Sequence, residues 1–62
     1  MTANDFSAWM KHVRLNKSQV AKTLGLSRNT VDKYLTEGTP DHIGFACAAI
    51  AFGLPKWASP AQ

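Results

Sequence analysis

An all-α fold follows from three features of this 62-residue chain. Apolar residues recur at three- and four-residue spacing, as on one face of a helix. Helix-capping side chains and helix-stopping glycines alternate along the chain. The stretch from Leu15 to Leu35 reads as two short helices joined by a tight turn. These features predict a compact domain of four helices, or of five, over residues 1–57. The helices fall at about 3–14, 17–24, 28–36 and 40–52, and residues 58–62 form a frayed tail.

The first helix has Thr2 as its cap and Asp5 in its first turn, where a carboxylate favours the helix dipole. Phe6, Trp9, Met10 and Val13 recur at i, i+3, i+4 and i+7 and are assigned to the core. Trp9, at core spacing, is read as packing rather than as a stacking platform for bases. His12 lies off the stripe and is read as solvated. Lys11 and Arg14 reach the polar face described below only if the C-terminal end of this helix points there.

The second helix starts at Asn16, whose side chain can cap it, with Gln19 three residues on to complete a capping box. Leu15 and Val20 have the spacing of a hydrophobic staple, and Leu26 and Val31 repeat it around Ser27, the cap of the third helix. Gly25 supplies the left-handed residue that ends the second helix. A turn this short makes the helices cross steeply, which asks for a small residue such as Ala21 near the crossing. On the third helix, Val31, Tyr34 and Leu35 share one side, and Arg28, Asn29, Asp32, Lys33 and Thr36 the other.

The fourth helix is set off by Glu37-Gly38-Thr39-Pro40, with Gly38 stopping the third helix, Thr39 as the cap and Pro40 in the first turn. Gly53 and Pro55 end it. One of its stripes, Ile43, Ala46, Cys47 and Ile50, is assigned to the core. A second stripe, Phe45, Ala48, Ala49 and Phe52, has little left to cover it in a chain this small. Two coverings are open. A symmetric dimer would use Phe45, Ala49, Phe52, Leu54 and Trp57; alternatively, the segment Leu54 to Trp57 folds back over the stripe.

Length and composition narrow the class. A chain this short buries only ~60% of the surface it exposes when unfolded, so it needs reinforcement. Cys47 is the only cysteine, which excludes an internal disulfide, and no ligand cluster suits zinc. A partner subunit is the remaining route. No apolar run nears the ~20 residues that span a bilayer, and no basic-then-apolar leader is present, so a cytoplasmic protein is expected. His12, His42 and Cys47 share no catalytic or metal spacing and there is no glycine-rich phosphate loop, so no enzyme, cofactor, metal or small-molecule ligand is expected.

Net charge is +3 and the isoelectric point about 9.4. Lys11, Arg14, Lys17, Lys22, Arg28 and Lys33 all lie between residues 11 and 33, with Asp32 the only acid among them. This concentrates positive potential on the two central helices, as binding to phosphates requires.

In Val20-Ala21, Leu24-Gly25-Leu26-Ser27, Thr30-Val31 and Tyr34-Leu35 the chain resembles the helix-turn-helix regulators of the phage repressor and Cro type. More loosely the likeness runs over residues 3–54. It is greatest to short single-domain members such as prophage and anti-CRISPR-associated repressors. Transposase and invertase modules carry a similar run. The resemblance implies a lambda-repressor-like domain that binds double-stranded DNA as a homodimer on an inverted repeat and represses transcription.

The third helix would then lie in the major groove. Ser27, Arg28, Asn29, Asp32 and Lys33 are the candidate base contacts: Arg28 and Lys33 to guanine, Asn29 to adenine, Asp32 to cytosine. Lys17, Ser18, Gln19, Lys22, Thr30, Tyr34 and Thr36 are the candidate phosphate contacts. Three have competing structural roles. Gln19 can be committed to the capping box, Asp32 can hold Arg28 at i, i+4, and Tyr34 can be a core-edge residue. Rival functions are a DNA-binding module of a recombinase or transposase, and an antitoxin- or antirepressor-type interaction domain using Phe45 and Phe52.

Overall fold

The computed structural model describes residues 1–60; the expected frayed tail therefore lies partly outside the described residues. Four helices follow one another: α1 Ala3–Val13, α2 Lys17–Leu24, α3 Arg28–Glu37 and α4 Asp41–Ala51. No strand occurs among the described residues. Both α1 and α2 pack on α3, and α4 packs on α1.

Side-chain caps fix the first three helix starts. Thr2 accepts from the Asp5 amide while the Asp5 carboxylate accepts from the Thr2 amide, a complete capping box. Asn16 and Gln19 form a second one, with both bonds at 2.9 Å. Ser27 accepts from the Thr30 amide at 3.1 Å. The fourth start differs from expectation. Pro40 rather than Thr39 holds the cap position, no side chain caps there, and the Thr39 hydroxyl donates to the Pro40 carbonyl.

The ends also correct the expected boundaries. Helix α1 stops at Val13, because Arg14 is left-handed at φ 59°, and its amide and that of Leu15 bond back to Lys11 and Met10. A non-glycine there costs roughly 1–2 kcal/mol. Helix α3 runs one residue further than expected, to Glu37, and α4 is shorter at both ends. Gly25 and Gly53 are left-handed as their positions require. After α4, the Gly53 and Leu54 amides bond back to Ile50 and Ala49, closing the helix with a Schellman pair.

The core is Phe6, Trp9, Val20, Ala21, Val31, Ile43 and Cys47, so every helix contributes. Met10, Val13 and Ile50, expected inside, are half-buried and pack against its margin. Phe6 stacks on Trp9 at 5.6 Å and takes the edge of Tyr34 at 5.7 Å. The Trp9 indole N–H donates to the Cys47 carbonyl at 2.8 Å, a buried bond that ties α1 to α4. No buried side-chain polar atom lacks a partner among the described residues. Leu15 and Leu26, the outer halves of the two staples, are half-buried against this core.

Candidate nucleic-acid interface

The three-residue turn Gly25–Ser27 returns the chain so that the first turns of α2 and α3 lie side by side. Two contacts record this. The Arg28 guanidinium donates to the Ser18 hydroxyl at 2.9 Å, and the Lys17 ammonium meets the Asp32 carboxylate at 2.7 Å. All four residues are exposed. The fold thus brings Lys17 and Arg28 onto one surface, with Val20 and Val31 of the same helices wholly buried.

Several candidate contacts have a structural duty there. The Ser27 hydroxyl caps α3 and also pairs with the Thr30 hydroxyl at 2.9 Å, and Thr30 is half-buried. Gln19 commits its carbonyl oxygen to the capping box and keeps its NH₂ outward for other partners. The Thr36 hydroxyl donates to the Asp32 backbone carbonyl. Tyr34 is half-buried against Phe6, the core-edge alternative. Asp32 does not hold Arg28 as its i, i+4 spacing allowed. It pairs with Lys17 instead, and Arg28 turns to Ser18.

The Lys17 hydrogen bond holds the Asp32 carboxyl below its ordinary range, against a smaller desolvation effect. The charges of Lys17 and Arg28 add to the same lowering. Asp32 is therefore ionised throughout the neutral range. Asn29, Lys33 and Lys22 are exposed, and among the described residues none forms a side-chain hydrogen bond or ion pair. Their donors point to solvent.

The C-terminal end of α1 lies beside the start of α2. Lys11 and Arg14 share with Asn16 and Gln19 an open groove of about 490 Å³, floored by Met10, Leu15 and Leu35. Arg28, Asn29, Asp32 and Lys33 do not line that groove, which places Lys11 and Arg14 beside the capping box of α2. The left-handed turn at Arg14 has no glycine to announce it, so their position was not readable from spacing.

Of the second apolar stripe of α4, Phe45, Ala48 and Phe52 stay exposed within one chain and Ala49 is half-buried. Phe45 and Phe52 are 77% and 81% exposed, and Leu54 and Trp57 are 63% and 85% exposed. The segment after Gly53 does not fold back over the two phenylalanines. It lines instead a groove of about 640 Å³ with Leu24, Ala46, Ala49 and Ile50. This groove lies at the C-terminal end of α2 and is also lined by Lys56, while the contacts of Lys17 and Ser18 with α3 lie at the N-terminal end of α2.

No family model, curated protein or solved structure matches the chain. Among the described residues no three His, Cys, Asp or Glu side chains converge as a metal site, and no helix is long and apolar enough to cross a membrane.

Proposed function

We propose that this chain is a sequence-specific DNA-binding regulator of transcription, acting as a repressor that occupies an inverted-repeat operator as a homodimer. The observation that carries the reading is the surface formed by the first turns of α2 and α3. Arg28, Asn29 and Lys33 are exposed on a helix anchored by Val31, and Lys17 of α2 meets that helix at Asp32. A helix about ten residues long with donors on its outer face fits the major groove, where each base pair presents its own donor and acceptor pattern. Two copies would place their recognition helices roughly 34 Å apart, one helical turn of DNA.

The apolar α4 surface supports the dimer. Its three exposed aromatics offer on the order of 500 Å² of contact area. A standard interface takes about 800 Å² from each partner. The same surface also favours a second reading, an antitoxin- or antirepressor-type module that docks on another protein through Phe45 and Phe52. Titration of short duplexes separates the two. Arg28→Ala is expected to cost ~1–3 kcal/mol on the preferred site and to relax one base pair. Lys22→Gln is expected to weaken all duplexes alike and flatten the salt slope by about 0.9. Binding that ignores both substitutions, or no binding at low salt, rejects the DNA reading.

A further inference from the structure

The pairing of Lys17 with Asp32 has a consequence for how tightly this surface holds any phosphate, and it rests on the DNA-binding reading. Lys17 opens α2, at the place where a backbone phosphate would meet free amides and an ammonium. In the structure that ammonium already has an anion. The Asp32 carboxylate sits 2.7 Å away, and both side chains are about half exposed, within reach of an arriving duplex. Asp32 is also the only acid between residues 11 and 33, so no other carboxylate in that basic segment does the same to a neighbouring cation.

We propose that Asp32 acts as a built-in competitor for phosphate: its carboxylate occupies the Lys17 ammonium and lowers the sequence-independent affinity of the surface. A carboxylate and a phosphate oxygen are alternative charge-assisted acceptors for one ammonium, and they cannot both take its full donor strength. Lys17 then adds little to counterion release in the wild-type complex. The sequence-specific share of binding, carried by Arg28 and Asn29, weighs correspondingly more. An exposed ion pair of this kind contributes little to folding, so either partner can be replaced with the domain intact.

Salt titrations with a short random-sequence duplex, and with the preferred site and its single-base variants, test this on Asp32→Asn and on Asp32→Asn combined with Lys17→Gln. Released Lys17 should tighten Asp32→Asn on every duplex and steepen its log–log salt slope by about 0.9, roughly 3.5-fold in affinity across a fourfold change in salt. The double variant should return to the wild-type slope. A slope unchanged in Asp32→Asn would mean that Lys17 already holds a phosphate and would overturn the proposal. So would a double variant that stays steep, or weakened binding with one relaxed base pair, which would make Asp32 a base reader. A DNA-free readout runs alongside: the Asp32 carboxyl, followed by NMR, should titrate higher in Lys17→Gln, and an unchanged titration overturns the pairing. Absence of duplex binding in every variant at low salt rejects the DNA reading itself, and the competitor role with it.

Discussion

Trp9 does two things, of which a phenylalanine could do only the first. Its ring fills the core beside Phe6, and its indole N–H satisfies the Cys47 carbonyl across the α1–α4 contact. Trp9→Phe keeps most of the apolar volume and removes this donor, while the carbonyl keeps the Ala51 amide within α4. A loss of about 0.5–1.5 kcal/mol is expected, read as a lower urea midpoint at unchanged slope. Cys47 is fully buried, and burial pushes its thiol up to about 11. The folded chain therefore keeps a proton that the unfolded chain releases near 8.5. Its contribution to stability is complete below that value and is lost as pH rises towards about 11. Urea midpoints should fall more steeply between these limits in the wild type than in Cys47→Ala. Gly38 is the most constrained glycine. Its φ is +89°, and a Cβ would lie 2.7 Å from the Met1 backbone carbonyl, whereas one on Gly25 would meet open space. Gly38→Ala should cost well over the roughly 1–2 kcal/mol of left-handed strain that Gly25→Ala pays, as thermal denaturation of both will show.

At the scale of elements, what the sequence made legible was what depends on neighbours three to five residues away. Asn16 with Gln19, the cap at Ser27 and the stop at Gly25 are all local, and each stands as the sequence implied. Contacts set by the angle between helices were not legible. Ser18 to Arg28 and Lys17 to Asp32 span ten and fifteen residues, and the i, i+4 rule pointed Asp32 at Arg28 instead. Arg14 is a third kind of miss, since a left-handed residue without glycine carries no signal. Pro40 took the cap position from Thr39 because Thr39 is drawn elsewhere: its amide donates to the Met1 carbonyl and its hydroxyl to that of Pro40. The α2 capping box has an energetic role as well as a geometric one. Asn16→Ala should cost about 0.5–2 kcal/mol and fray the turn that carries Lys17 and Ser18, which amide hydrogen exchange would register there first.

For the whole molecule, the core is small, and exposed apolar side chains cluster on α4 and the segment after it, with Lys56 among them. Phe45, Phe52, Leu54 and Trp57 lie on α4 and the segment after it; Lys17 and Arg28 lie at the starts of α2 and α3. A chain this short gains by burying the first surface in a second copy, and doing so leaves the second surface free. Phe52→Asp should shift the chain from dimer to monomer in sedimentation. It should also lower the affinity for a paired site far more than for a single half-site.

The most direct measurement is selection by the purified chain from a pool of random duplexes, repeated at low and near-physiological salt. Enrichment of one inverted repeat, with half-sites about 10 base pairs apart centre to centre and lost in Arg28→Ala, is the expected result. A pool that returns unenriched at every ionic strength would contradict it.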